Sequence, residues 1–287
     1  MTHRRNFRWA ARAAILMGAG APALAAVPYG ATPDWQNTTR RQVGALQIAD
    51  VNGDGYNDLI VGCYSSSSFP PYTDWENFIH FNLGDGLLET EPSWVSTDEV
   101  SSPDLEVGDI NNDGFPDIVS INGGAAMSPS VIYYNTNNVI SPSPGWSTTM
   151  TRRVWGTDGV LFDVDNDGDL DLFVAGQGAV DTDPYRPLYG FRGSGSVGGT
   201  LETTPSWASA DEAIQNSLAA ADFDGDGWTD LAVARWVNFQ TCIYRNINGT
   251  LSSTPTWQSG RTSGDRGIAA ADIDGDGDPD LAVGTSS

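Results

Sequence analysis

Asp50-Val51-Asn52-Gly53-Asp54-Gly55-Tyr56-Asn57-Asp58, running into Leu59-Ile60-Val61, decides how this chain folds, because the pattern returns four more times. The copies fill residues 109–117, 163–171, 222–230 and 272–280. Each reads D-x-[DN]-x-D-G-x-x-D and leads into an apolar run such as Ile118-Val119 or Leu231-Ala232-Val233. Oxygens at positions 1, 3, 5 and 9, with the carbonyl of position 7, form a shell for a small hard cation, and glycine at position 6 permits the sharp bend. These positions are Asp50, Asn52, Asp54, Tyr56 and Asp58 in the first loop, and Asp109, Asn111, Asp113, Phe115 and Asp117 in the second. The third has Asp163, Asp165, Asp167, Asp169 and Asp171, and the fourth Asp222, Asp224, Asp226, Trp228 and Asp230. The fifth has Asp272, Asp274, Asp276, Asp278 and Asp280. The sequence therefore predicts five Ca2+ loops. Asp-Gly turns that bind nothing are the plain alternative, and a full oxygen set repeated five times argues against it.

An EF-hand loop begins in the same way but ends on a Glu at position 12 between two helices. Here position 9 is Asp and strand-type residues lie on both sides, Leu46-Gln47-Ile48 before the first loop and Leu59-Ile60-Val61 after it. The loop therefore joins two strands, which also excludes a dockerin-like helix.

Two further motifs keep step with the loops. Leu88-Glu89-Thr90-Glu91-Pro92-Ser93-Trp94 returns as 201–207 and 251–257, with weaker copies ending at Trp35 and Trp146. Aromatic runs precede it at Phe78-Ile79-His80-Phe81-Asn82, Val131-Ile132-Tyr133-Tyr134-Asn135 and Cys242-Ile243-Tyr244-Arg245-Asn246. One period thus holds a strand A into the loop, a strand B out of it, an aromatic strand C, and a strand D ending near the Trp. A four-stranded antiparallel unit recurring at roughly 50 residues predicts an all-β fold, a β-propeller of about five blades. The tryptophans, one per period, are expected to pack between blades.

The register W-x-S…A-D-x-D-G-D-G-x-x-D-L-A-V-G…Y-R-N…G-x-L resembles the FG-GAP/VCBS repeats of exported bacterial proteins, the blade type of integrin α propellers. The resemblance covers nearly all of residues 26–287. It implies calcium in the A–B loops and a role in binding or adhesion, toward a glycan or an extracellular protein. Such propellers most often have seven blades. Residues 27–37 read as a lone strand D and the chain stops just after a fifth strand B, so the expectation is a propeller truncated at its C-terminus, with an imperfectly closed five-bladed ring as the alternative.

Residues 1–25 read as a signal peptide: a basic segment with Arg4-Arg5, a short apolar core from Ala13 to Ala21, and the small-residue site Ala23-Leu24-Ala25. The twin arginine resembles a Tat signal, with Sec as the alternative, and the apolar core is too short to span a bilayer. The expected product is exported, secreted or periplasmic, and not inserted in the membrane. All 14 basic residues are arginine. After cleavage ten of them face 37 acids, a net charge of −27, and twenty of those acids lie in the five loops. A chain this negative is unsuited to nucleic acid or anionic membranes. Cys63 and Cys242 fall in non-equivalent strands and are expected to remain unbridged.

An antiparallel meander sends A–B and C–D turns to one face and B–C and D–A loops to the other, opposite the metal. The D–A loops alternate in charge: Arg40-Arg41, Asp98-Glu99, Arg152-Arg153, Asp211-Glu212, then Arg261 with Arg266. They read as inter-blade ion pairs or as a polar ligand site of arginine forks. The long B–C connections add Tyr72, Trp75, Tyr185 and Arg186. Arg152, Arg153, Arg186, Tyr72 and Trp75 are therefore the candidate ligand contacts. A lyase-like, polysaccharide-processing enzyme and a structural module of a larger exported protein are the competing readings. Against catalysis, His80 is the one histidine outside the leader, and no G-x-S-x-G or H-E-x-x-H motif occurs.

Overall fold

The computed structural model describes residues 33, 35–38, 41–64, 75–84, 86–123, 128–150, 152, 154–178, 183–194, 197–236, 238–262 and 264–286. The proposed leader, residues 1–25, lies outside them, as do Arg40, Tyr72 and Arg153. Every main element is a strand, and the strands form antiparallel sheets read in the order A-B-C-D. The first blade is Val43–Ala49, Asp58–Cys63, Phe78–His80 and Trp94–Val95; the second is Ser101–Gly108, Asp117–Gly123, Val131–Tyr133 and Trp146–Ser147. The third is Trp155–Phe162, Asp171–Gln177, Tyr189–Phe191 and Trp207–Ala208; the fourth is Gln215–Ala221, Asp230–Arg235, Cys242–Tyr244 and Trp257–Gln258. Gly264–Ala271 and Asp280–Ser286 pair as the A and B strands of a fifth. The A strands of successive sheets touch one another, as the inner strands of a propeller do.

Strand D begins at the Trp instead of ending there. Prolines two residues ahead (Pro92, Pro144, Pro205, Pro255) lack the N–H that a longer ladder would need. The described residues around Trp35 form no strand.

The core lies between blades. Ile60, Ile79 and Trp94 of the first blade pack with Leu105, Ile118 and Tyr133 of the second, and equivalent clusters fill the next two interfaces. A smaller cluster around Ala232 and Ile268 joins the fourth sheet to the fifth. Four of the motif tryptophans link to the blade that follows them. The indole N–H of Trp35 donates to the Leu88 carbonyl at 2.8 Å, Trp94 to Ile140 at 3.1 Å, Trp146 to Leu201 at 2.8 Å and Trp207 to Leu251 at 3.0 Å. The same four rings meet His80, Tyr133, Phe191 and Tyr244 edge-on at centroid distances of 5.1, 5.4, 6.0 and 5.8 Å. The expected inter-blade role of tryptophan is thus realised through both a ring contact and a hydrogen bond.

A β-bulge recurs in every strand A, at Gly44, Pro103, Thr157, Asn216 and Arg266. It frees side chains to reach sideways. Thr157 donates to the Gln215 carbonyl at 2.7 Å and Asn216 to that of Asp265 at 2.6 Å. No disulfide joins Cys63 and Cys242, which lie buried in separate blades.

Candidate metal centres

Each nonapeptide folds as a closed loop between strands A and B. The position 6 glycines all take left-handed φ: Gly55 91°, Gly114 93°, Gly168 99°, Gly227 90° and Gly277 99°. Nothing lies within 4 Å of where a Cβ would stand on these glycines, so backbone conformation and not crowding demands glycine. The position 1 carboxylate folds back on the loop, accepting the position 6 amide at 2.8–3.1 Å in each copy. Position 5 accepts the amide of position 7, as from Tyr56 to Asp54 at 2.8 Å and from Trp228 to Asp226 at 3.0 Å.

Position 9 anchors the loop to the blade. Asp58 accepts the Val51 amide at 3.1 Å and, through its other oxygen, the Asn82 amide at 2.9 Å. Asp117, Asp171 and Asp230 repeat this arrangement with Asn135, Gly193 and Asn246. All four carboxylates are buried. Burial pushes the carboxyl of Asp117 up to about 7 and that of Asp171 to about 6, against the bonds from backbone amides, and raises Asp58 and Asp230 in the same way. Among the described residues no cationic side chain pairs with Asp58, Asp117 or Asp230, whereas Arg192, 3.9 Å from Asp171, offsets part of the effect of burial there.

Carboxylate oxygens converge within 4.8 Å of one another in Asp163/Asp165/Asp171, Asp222/Asp224/Asp230 and Asp272/Asp274/Asp276. In the first and second loops Asn52 and Asn111 hold position 3, so the acids there are fewer. Buried oxygens of Asp165 and Asp169 have no hydrogen-bond partner. Hard oxygen donors and unmet buried oxygens are the chemistry that suits an alkaline-earth cation, and the residues present fit one.

The asparagine two places beyond strand C was legible as a recurrence, but its role was missed. Asn135 donates its side-chain amide to the Val51 carbonyl of the first loop at 2.8 Å and to the Pro116 carbonyl of the second at 3.1 Å. Asn246 does the same with Val164 at 2.7 Å and Thr229 at 3.0 Å. Asp169, expected to contribute only its carbonyl, is 4% exposed and its side chain accepts a bond from Asn112 of the neighbouring loop.

On the opposite face Arg152, Arg186 and Arg41 are engaged within the protein. Arg152 pairs with Glu212 and, at 3.0 Å, with Asp183, joining consecutive D–A loops. Arg186 is buried and donates to the carbonyls of Asp183 at 2.9 Å and Tyr185 at 2.7 Å. Arg41 bonds Glu76 at 2.6 Å. Asp98 and Asp211 accept the hydroxyls of Tyr133 and Tyr244, each at 2.7 Å. Trp75 is half-buried beside Glu76, and Tyr185 meets Phe239 edge-on at 5.4 Å. His80 is fully buried in the aromatic slot described above, a packing position.

Matches to the FG-GAP-like repeat cover residues 50–120, 109–174, 163–233 and 234–283. Integrin alpha-4 of Xenopus laevis is 31% identical over 106 residues, which are 34% of this chain and 10% of that protein. Among solved structures, the V. cholerae biofilm matrix protein Bap1 aligns over 87% of this chain and 37% of its own, with a TM-score of 0.54 and 18% identity. BBS1N, crystallised in complex with ARL6DN, aligns over 87% of this chain and 64% of its own, with a TM-score of 0.54 and 13% identity. At such identities the likeness is one of fold. No helix among the described residues is long and apolar enough to cross a membrane.

Proposed function

The chain belongs to the FG-GAP-like repeat family, and from that premise we propose that it is a calcium-stabilised β-propeller module that binds a ligand outside the cytoplasm, glycan or protein. The observation that carries the calcium reading is the convergence of carboxylate oxygens in the repeated loops, above a buried position 9 aspartate held at both oxygens by backbone amides. Positions 1, 3, 5 and 9 supply side-chain oxygens, and Tyr56, Phe115, Asp169, Trp228 and Asp278 supply carbonyls. Bound Ca2+ would supply positive charge beside these buried carboxylates.

Support for a binding role comes from the integrin match and from the irregular loops on the face opposite the metal. Arg152, Arg186 and Trp75 lie on those loops, the sequence pattern assigns Arg153 and Tyr72 to the same connections, and the exposed Tyr185 beside Phe239 adds an apolar ring pair. Because Arg152 and Arg186 already hold Asp183, an acidic ligand competes with carboxylates of the protein itself. The signal-peptide pattern read in residues 1–25 supports a location outside the cytoplasm.

Thermal melts with Ca2+ and with EDTA test the metal. Each independent site adds RT ln(1 + [Ca]/Kd), about 1.4 kcal/mol at ten times Kd, and superimposable curves would sink the assignment. A glycan array and a binding screen against extracellular matrix proteins, each run with Ca2+ and with EDTA, test the ligand. No calcium-dependent binder in either would count against the module reading.

A further inference from the structure

Among the four complete blades, two features change together. Position 3 of the loop is Asn52 and Asn111 in the first two blades and Asp165 and Asp224 in the next two. The residue just after strand C is Phe81 and Tyr134 in the first two, and Arg192 and Arg245 in the next two. Wherever the loop gains a negative charge, strand C gains a positive one.

The geometry joins the two features. Arg192 is ion-paired with Oδ2 of Asp165, lies 3.9 Å from Asp171, and donates to the Gly249 carbonyl of the next blade at 2.7 Å. Arg245 is ion-paired with Asp224 and contacts Asp226 at 3.2 Å. In the third loop the guanidinium takes only one oxygen of the position 3 carboxylate. The other, Oδ1 of Asp165, is buried with no hydrogen-bond partner. The arginine therefore neutralises the loop from outside and leaves an oxygen for an ion within it.

We propose that Arg192 and Arg245 are resident counter-cations of the third and fourth loops. They hold the carboxylates together when no ion is bound, and they lower the affinity of those loops for a divalent cation by their own charge. This rests on the calcium reading above. With the arginine counted, the fourth loop carries the same net charge as the first two: four acids less one base against three acids. In the third, Asp169 is turned toward Asn112, so four acids and one base remain around the centre.

Trp228 contributes position 7 of the fourth loop, and its ring lies against Gly249 alongside Asp165 of the third. Tryptophan-sensitised Tb3+ luminescence is therefore read in parallel with Asp226→Ala, which removes a fourth-loop oxygen and assigns that part of the signal. Arg245→Gln should tighten Tb3+ binding by about tenfold at low salt, with the gain shrinking at high salt as exposed charge is screened. Arg245→Lys, which keeps the charge, should stay near the parent protein. In EDTA, Arg245→Gln should lower the melting temperature, and adding Asp224→Asn should restore it. Equal or weaker Tb3+ binding by Arg245→Gln overturns the proposal. If neither Tb3+ nor Ca2+ binds the parent protein, the calcium reading fails, and the EDTA melts alone judge the pairing: loss and rescue uphold the counter-charge, whereas no loss overturns it.

Discussion

Replacing His80 with Phe should stabilise the protein, and by more as the pH falls. His80 ends the first strand C, where the other blades carry Tyr133, Phe191 and Tyr244, each edge-on to a tryptophan of the preceding blade. It is fully buried between Trp35 at 5.1 Å and Phe78 at 5.3 Å, and neither ring nitrogen makes a hydrogen bond of normal geometry. A buried polar atom left unmet costs about 1–3 kcal/mol. With the Glu89 backbone close enough to offset part of that, and some strain from a larger ring, a gain of about 1 kcal/mol remains. That corresponds to about 2–4 °C in Tm for a chain of this size. Burial holds the imidazole pKa below its ordinary value, against the opposing influence of Glu89 and Glu91. The folded state therefore binds a proton less readily than the unfolded chain, so stability is complete above the unfolded pKa of about 6.5 and is lost as the pH falls through it. Phe carries no such dependence. Melts in EDTA at about pH 8 and about pH 5 read both effects, with the larger gain expected in acid. A lower Tm for His80→Phe, or an equal gain at both pH values, would refute the packing argument.

Asn135→Ala removes donors from two loop carbonyls and should cost about 2–3 kcal/mol by chemical denaturation. The Asn82 side chain donates to the Asn57 carbonyl at 3.1 Å and accepts the Gly84 amide at 3.0 Å, both in exposed settings within its own blade. Asn82→Ala should therefore cost about 1 kcal/mol or less; losses equal to those of Asn135→Ala would contradict the bracing role. Trp207→Phe loses the bond to Leu251 and should cost about 1 kcal/mol. Trp257→Phe, at a ring 48% exposed, should stay within about 0.5 kcal/mol. Asp104→Asn should raise the Tm at neutral pH and change it less near pH 4, as melts across that range would show. Burial, then Asp158 and Glu106, push the Asp104 carboxyl well above its ordinary value, so the stability present in acid is lost as the pH rises through its folded pKa. The asparagine oxygen still accepts the Gly159 amide that Asp104 holds at 2.8 Å.

The repeat unit was legible because its signals are local. A left-handed glycine at position 6, two flanking strands and one tryptophan per period fix a hairpin and its interface without reference to the rest of the chain. Strand D was misplaced by a few residues because prolines such as Pro92 and Pro205 end backbone pairing, and only the ladder itself shows where pairing resumes. The bulge at Gly44, Pro103, Thr157, Asn216 and Arg266 escaped notice because five different residue types share one backbone position. The D–A arginines suggested either ion pairs or a ligand site, and composition alone does not distinguish them. Among the described residues, Arg152 pairs with Glu212, and Asp211 is taken by Arg235 of strand B at 2.7 Å.

The face that carries the loops is held together by bonds from each of the first three loops to the next blade, and this constrains how the loops would respond to a cation. Asn135 of the second blade holds the first loop at Val51, and Asn246 of the fourth holds the third loop at Val164. The Gly198 amide of the third blade reaches the Asn111 carbonyl of the second loop at 2.7 Å, and Asn112 of that loop reaches Asp169 of the third. A Cβ on Gly53 would stand 2.5 Å from Asn138, so even the turn of the next blade rests on the first loop. An ion that fixes one loop therefore also fixes an acceptor on which the following blade is seated. In an array whose stability is a sum of blade and nearest-neighbour contributions, a bound ion strengthens the interface as well as its own blade. Removal of one position 5 aspartate, such as Asp113, should then weaken the second and third blades together, and hydrogen exchange should report loss of protection in Leu172–Val174 as well as in Ile118–Ser120. Loss confined to the second blade would mean that each loop acts for its own sheet alone.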